Sequence, residues 1–257
     1  MKSLYEYAKD FCGDPTSHER RGAIILDFLK EEGLATHDRV LNLGCGALSE
    51  GKPLIEFLNP GCYTGLDPNM WLVKATVDEF PHLLEKRPHF IDRSDFDASE
   101  NQPYDFVVGH SVLSHVAFWQ MQMVLAKTRL VVPEGAKWLA SIILDQYTTF
   151  DAQWVYPGVS RFRLPDVRTL AYQAGWSVKS MDGSYQRCLT TECPNDTHNW
   201  LLLTAIPFPS EMNDERLRLE ADHAEANEFA AVERDLHEAF GQARLDAMPR
   251  VPLGLQR

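Results

Sequence analysis

Residues 39–47, Arg39-Val40-Leu41-Asn42-Leu43-Gly44-Cys45-Gly46-Ala47, decide the fold. Val40 to Leu43 is too short and too apolar for a helix face and predicts a strand that runs straight into two glycines. Leu54, Ile55, Phe57 and Leu58 then return at helical spacing, and Asn59-Pro60-Gly61 stops them. A strand, a glycine turn and a helix in that order form the first half of a parallel crossover unit. On the upstream side, residues 18–32 place Ile24, Ile25, Phe28 and Leu29 on one helical face, with Gly33 where a helix would end.

The same alternation continues downstream. Cys62 to Leu66 reads as a second strand closed by Asp67-Pro68-Asn69, and Trp71, Leu72, Val73 and Val77 mark the helix after it. A weak third strand lies at Phe90-Ile91 and a clear fourth at Tyr104 to Val108. Phe118 to Leu130 is helical, and Lys137 to Leu144 is a fifth strand, apolar after its first residue as a strand covered on both faces should be. A helix over Asp166 to Ala174 leads to strands at Trp176 to Met181 and Trp200 to Ile206. The polar, broken run GSYQRCLTTECPNDT between those two cannot be a crossover helix, so they are expected as an antiparallel edge pair. The fold class is therefore α/β, a doubly wound and mostly parallel sheet. Its predicted parts are an N-terminal helical segment over 1–38, the α/β domain over 39–209, and a tail over 210–257. The tail turns acidic from Ser210 but keeps Phe229, Val232, Leu236 and Phe240 at helical spacing, as an amphipathic helix that packs on the body or on a second copy in a homodimer.

Composition narrows the function. The chain has 257 residues, 44% apolar and 24% charged, which excludes disordered and collagen-like classes. Thirty-seven acids against 25 bases give a net charge of −12 and no gathered basic patch, so nucleic acid is not an expected partner. Neither a leader-like apolar run nor a membrane-length segment is present, and a cytoplasmic, membrane-free location is the expectation. Five cysteines are an odd count and point to free thiols; Cys188 and Cys193 lack the second pair that a zinc site needs. Acids and histidines are not clustered at ligand spacing, so no metal is expected.

In a doubly wound sheet, ligands sit beyond the carboxyl ends of the strands where the order reverses, beside the first turn. Glycines at 44 and 46 let backbone approach a ligand closely, and a helix starting near Ser49 would aim amide groups at it. Asp67 ends the second strand about twenty residues later, where a carboxylate can accept from both hydroxyls of a ribose. Ser49 stands where a dinucleotide-binding turn has its third glycine, and no Tyr and Lys proton-relay pair is evident, which disfavours a nicotinamide oxidoreductase.

RVLNLGCGA, YTGLDPN, RSDFDASENQPYDFVVGHSVLSHV and RLVVPEGAKW stand in an order and spacing that resembles class I S-adenosylmethionine-dependent methyltransferases over about Arg20 to Ile206. The resemblance implies a seven-stranded sheet with the last strand inserted antiparallel and S-adenosyl-L-methionine as cofactor, leaving as S-adenosyl-L-homocysteine. It further implies that Gly44, Cys45 and Gly46 line the methionine portion, that Asp67 with Pro68 holds the ribose, and that Asn69 or Met70 lies beside the adenine. Asp95, with Ser94 and Phe96, would read the adenine amino group, Asp92 being the competing candidate. His110 and Ser111 would sit under the sulfonium, and Arg20 or Arg21 could pair with the cofactor carboxylate. Asn42 departs from the pattern: the family commonly has an acid there, and asparagine accepts hydrogen bonds without bringing charge.

Methyl transfer from a sulfonium mainly requires an aligned acceptor and excluded water. A hydroxyl or ammonium acceptor must also lose a proton, for which His115 and His110 are the candidate bases, each weighed against a structural role. The segment from Asp145 to Arg163 follows the fifth strand and should cover a small-molecule acceptor, with Tyr147, Trp154 and Tyr156 against a flat or greasy body and Arg161 on an anionic group. Tyr5, Tyr7 and Phe11 on a short N-terminal helix could close as a lid. A small-molecule methyltransferase acting on oxygen is the leading expectation. A catalytically inactive nucleoside-binding or partner-binding protein of the same fold is the alternative, motivated by Asn42 and the acidic tail. An Asn-Pro-Pro-aromatic run, which would point to nucleic-acid methylation, is replaced by Gly109-His110-Ser111-Val112.

Overall fold

A computed structural model describes residues 2–12, 15–151, 153–181, 193 and 197–207. The predicted tail helix over 210–257 and most of the 183–197 connection, Cys188 included, lie outside the described residues. Helices α1 (Leu4–Phe11) and α2 (His18–Glu31) precede strand β1 (Val40–Leu43). Then come α3 (Gly51–Phe57), β2 (Tyr63–Leu66), α4 (Met70–Glu79), a 3₁₀ turn (Pro81–Lys86) and β3 (His89–Ile91). The second half is β4 (Phe106–Gly109), α5 (Phe118–Leu130), β5 (Lys137–Ile142), α6 (Leu164–Gln173), β6 (Trp176–Ser180) and β7 (Asn199–Ala205).

The seven strands form one sheet in the order β3-β2-β1-β4-β5-β7-β6. Strands β1 to β5 pair in parallel, and β7 runs antiparallel to both β5 and β6, as the polar connection before it required. The order reverses at β1, whose neighbours are β2 on one side and β4 on the other. Asn42 stands level with Gly65 and with Val108. That register delivers the segments after Leu43, Leu66 and Gly109 side by side at one edge of the sheet, and it is what builds the site.

Alternate residues feed two cores, one on each face of the sheet. Leu41, Leu43, Val107, Trp138, Leu201 and Leu203 pack against α5 and α6. Val40, Val108, Leu139 and Leu202 pack against Ile25, Phe28 and Leu29 of α2 and Leu54 and Ile55 of α3. The helix predicted upstream of the glycine turn is thus part of the main core. At roughly 25 cal/mol per Å² of apolar surface removed from water, this two-sided burial is the main term holding the layers together.

Three element ends differ from expectation for local reasons. Strand β5 stops at Ile142 because the Asn199 side chain accepts the Leu144 amide at 3.0 Å and ends the ladder. Strand β4 begins at Phe106, since the Tyr104 amide donates to the Val131 carbonyl instead. Helix α3 begins at Gly51 and not near Ser49, because Leu48 turns left-handed at φ +58° and the Ser49 hydroxyl donates to the His18 carbonyl at 2.6 Å. Among the described residues, no helix is long and apolar enough to cross a membrane.

Candidate functional site

A cavity of about 480 Å³ lies where β1, β2 and β4 end, walled by the segments that leave them. Gly44 to Ala47 form its first wall. Gly44 has φ +63°, and a Cβ there would meet Val112 Cγ2 at 2.3 Å; Gly46 has φ +47°, and its Cβ would stand 3.0 Å from Cys12 Sγ. Any side chain at either position would be both strained and obstructed. The amides of the turn itself are spoken for. Gly44 and Cys45 donate to the Leu66 carbonyl at 2.8 and 3.1 Å, Gly46 donates to Asp67 Oδ2, and Ala47 donates to Cys12 Sγ at 3.4 Å. The turn therefore offers close backbone approach and a fixed shape, not an anion cradle. Burial pushes the Cys12 thiol up to about 12, so this cavity cysteine stays protonated.

Asp67 supplies the second wall. Its Oδ2 accepts from the Gly46 amide at 2.9 Å and its Oδ1 from the Asn69 amide at 2.7 Å, so the carboxylate bridges the two turns. Burial raises its pKa, opposed by those amide hydrogen bonds. Each carboxylate oxygen has capacity for a further hydrogen bond from a ligand.

Under the first turn lies a buried charge cluster that sequence reading did not find. Arg21 Nε contacts Glu50 Oε1 at 3.1 Å, with both side chains only 5% exposed, and Arg21 Nη2 donates to Ser49 Oγ at 3.2 Å. His110 Nδ1 stands 3.7 Å from the same Glu50 oxygen. Burial pushes the Glu50 carboxyl up, but His110, Arg21 and His18 outweigh it and hold the group below its usual range. Gly22 is what lets α2 come this close, since a Cβ there would lie 2.1 Å from the Ser49 carbonyl oxygen.

The third wall follows β4. Ser111 adopts φ +60°, a conformation that costs a non-glycine residue on the order of 1–2 kcal/mol, and its amide is pinned by the Ser141 hydroxyl at 2.7 Å. His115 Nδ1 donates to the Gly158 carbonyl at 2.7 Å. A carbonyl can only accept, so in the neutral ring Nε2 is the acceptor, and it takes the Ser111 hydroxyl at 3.2 Å. Burial lowers the His115 pKa to about 4, so the ring is neutral at physiological pH. Ser114 donates to the Ser111 carbonyl at 3.1 Å and receives His198 Nε2 at 3.1 Å. His110 stacks on Trp200 with centroids 5.4 Å apart and meets His198 edge-on at 5.0 Å.

A cover closes the cavity from the segment after β5. Trp154 and Tyr156 pack on the His115 ring at 5.8 and 5.0 Å, and Phe96 faces Trp154 at 6.5 Å. The Tyr156 hydroxyl donates to the Phe11 carbonyl at 3.1 Å, and Phe11 meets Trp71 at 5.5 Å. Helix α1 is thereby clasped to the cover, with Phe11 on the cavity wall, Tyr5 buried beneath and Tyr7 exposed.

Of the residues singled out from sequence, the cavity brings together Gly44, Cys45, Gly46, Asp67, Pro68, Asn69, Ser94, Phe96, His110, Ser111, His115, Trp154 and Tyr156. Others stand off its wall. Asn42 is buried in β1, where its Nδ2 donates to the Tyr63 hydroxyl at 3.1 Å and its Oδ1 has no partner among the described residues. Arg20 is on the exposed side of α2, and its neighbour Arg21 faces the cavity instead, because the helix period turns only one of them inward. Met70 packs with the core under α3. Asp95 is held by Arg93, whose Nε lies 2.8 Å from Oδ1, and by Lys127 at 3.8 Å, while Ser94 and Phe96 on either side reach the wall. Tyr147 is 54% exposed, and Arg161 is paired with Asp145 at 3.2 Å. Asp92 stays off the wall as well.

No protein-family model and no curated protein matches the chain. Solved structures do. Magnesium protoporphyrin IX methyltransferase from Synechocystis PCC 6803, with bound S-adenosylmethionine, superposes at a TM-score of 0.55 over 74% of this chain and 81% of its own, with 14% identity. The fold is that of the S-adenosylmethionine-dependent methyltransferases. A methyltransferase of this fold from Clostridium acetobutylicum covers 78% of this chain and 96% of its own at 11% identity and a TM-score of 0.57. An amino pentose methyltransferase from Micromonospora echinaspora, also solved with S-adenosylmethionine, covers 80% and 98% at 12% identity and 0.56. The methyltransferase fold read from the motifs is thus confirmed as a fold.

Proposed function

We propose that this chain is an S-adenosylmethionine-dependent methyltransferase acting on oxygen of a small-molecule acceptor. What supports the reading above all is that the glycine turn at 44–46, the carboxylate of Asp67 and the imidazoles of His110 and His115 all border one cavity of a methyltransferase fold. The residues fit the cofactor. Gly44 and Gly46 leave room at the turn for its methionine part, Asp67 can accept from ribose hydroxyls, and Asn69, Leu72, Ser94 and Phe96 would border the base. Arg21, in place of Arg20, is the cation nearest the turn for a carboxylate. When bound, the cofactor would supply an electrophilic methyl group on a sulfonium.

The chain's own part is alignment, exclusion of water and handling of one proton. Ser111 Oγ and His115 Nε2 form a hydrogen-bonding pair on the acceptor side, with the imidazole tautomer fixed by Gly158. Trp154, Tyr156 and Phe11 close the outer side. Cytoplasmic residence, the lack of nucleic-acid and membrane partners and a homodimer built on the tail belong to the same proposal, supported by the net charge of −12 and the sequence of 210–257. The inactive alternative loses one of its two motives, since Asn42 does not border the cavity.

Calorimetric titration with S-adenosylhomocysteine, followed by incubation with methyl-labelled cofactor and a metabolite extract, tests the proposal. Saturable binding and transferred label are expected. Binding without transfer to any acceptor would favour the inactive alternative, and absence of binding would remove the reading altogether.

A further inference from the structure

Resting on that reading, the acceptor side of the cavity carries a chemical signature of its own. We infer that the acceptor is an uncharged, planar molecule whose reacting group is an aromatic or enolic hydroxyl.

Charge is the first ground. Among the described residues, the acidic and basic side chains on the wall, histidines apart, are Arg21, Arg93, Glu50 and Asp67. Arg21 and Glu50 are joined at 3.1 Å, Arg93 holds Asp95 at 2.8 Å, and Asp67 is bridged by two amides on the side opposite the imidazoles. The stretch from His110 through His115, Ile143, the cover from Trp154 to Val159, and Thr197-His198 contributes no lysine, arginine or carboxylate to the wall. Arg161, the residue that sequence reading offered to an anionic acceptor, is committed to Asp145 and stands off the wall. A carboxylate, phosphate or ammonium entering here would lose its hydration with no lysine, arginine or carboxylate among the described residues of this stretch to pair with.

Shape is the second. Trp154 and Tyr156 flank the His115 ring, Phe96 lies against Trp154, and Val112, Ile143 and Val159 complete an apolar slot. Aromatic walls of this kind favour a flat body that stacks or meets them edge-on.

The third ground is the polar group at the end of the slot. Gly158 fixes the proton on His115 Nδ1, so Nε2 and the Ser111 hydroxyl it receives present hydrogen-bonding capacity suited to an incoming O–H. On transfer, the hydroxyl oxygen's lone pair forms the new O–C bond, the electrons of the broken C–S bond stay on sulfur, and the hydroxyl proton moves to Ser111 Oγ as that group's own proton passes to His115 Nε2, to be released to solvent when the product leaves. Because burial holds the imidazole pKa near 4, His115 relays that proton and does not store it. Such a weak base suits an acidic hydroxyl, as in a phenol with a pKa of about 10, and not that of a saturated alcohol.

The test is binding, read by calorimetry at pH 7.5 with S-adenosylhomocysteine in place, using 2-naphthol, 2-naphthoate, 2-naphthylmethylamine and the saturated alcohol 2-decalol. 2-Naphthol is expected to bind at least tenfold tighter than each of the others, and Trp154→Ala to weaken it tenfold while the affinity for S-adenosylhomocysteine stays within twofold. Equal or tighter binding of either charged naphthalene or of 2-decalol overturns the inference, as does failure of all four to bind to the loaded protein. Failure of S-adenosylhomocysteine itself to bind is a different result, which removes the cofactor reading and this inference with it.

Discussion

The two halves of the cavity are built in opposite ways. The half around Gly44–Gly46 and Asp67 comes from two turns twenty residues apart, and its contacts are backbone contacts: the Leu66 carbonyl receives two amides, and Asp67 receives two more. The half around His115 comes from β4, the cover before α6, and the approach to β7, and its contacts are between side chains or reach across long sequence separations, as in Gly158 to His115 and His198 to Ser114. Backbone geometry can be coded by residue type at one position. Side-chain convergence cannot, because it depends on where distant segments are brought by the sheet.

The largest effect expected is on the first half. Gly44→Ala places a Cβ 2.3 Å from Val112 Cγ2 at a φ of +63°, and should cost about 3 kcal/mol in urea unfolding. A loss under 1 kcal/mol would show that the turn is not held by its backbone. Next comes acid. His18, beneath the turn, and His115 both have pKa values lowered by burial to about 4 against 6.5 in the unfolded chain. Between those pH values the unfolded state binds protons that the folded state refuses, so stability is full above pH 6.5 and falls as pH drops toward 4, by about 3 kcal/mol per imidazole. Unfolding midpoints across that range should fall steeply, and His115→Gln should flatten the slope; an unchanged slope would place His115 in water.

Asp67→Asn keeps one acceptor for the turn amides but removes the charge, and is expected to weaken S-adenosylhomocysteine about 100-fold by calorimetry with little change in melting temperature. Replacement by alanine is the poorer probe, because it would also orphan the Gly46 and Asn69 amides. His115→Ala should reduce kcat at least tenfold and leave cofactor affinity within twofold; a parallel loss of both would mean that the two halves are not separable. Smallest of all, Tyr147→Ala should change the acceptor KM by less than twofold, since that side chain is 54% exposed and off the wall. A large effect would extend the acceptor half to the surface.

The sequence made the α/β alternation, the antiparallel pairing of the last two strands and the cofactor-side turns legible through apolar period, breakers and glycine positions, and the seven-stranded sheet through the family resemblance. The resemblance marked His110 and Ser111, which follow the end of the fourth strand, and His115 stood out beside His110 as a candidate base. Between Arg20 and Arg21 it did not choose, and of Asp95, Ser94 and Phe96 only the last two reach the wall, since a helix or a loop turns adjacent side chains in different directions. It gave no sign of Glu50 or His198, which are ordinary polar residues until α2 and β7 bring partners to them.

What the sequence alone determined, then, is the layered α/β architecture and the half of the site made of backbone, because glycine, proline and apolar period act on φ, ψ and burial within a few residues. What only the tertiary structure decided is the charge balance and shape of the acceptor half. There, Arg21 meets Glu50, Arg161 meets Asp145 and Gly158 fixes the His115 tautomer, each across a separation that no local pattern encodes.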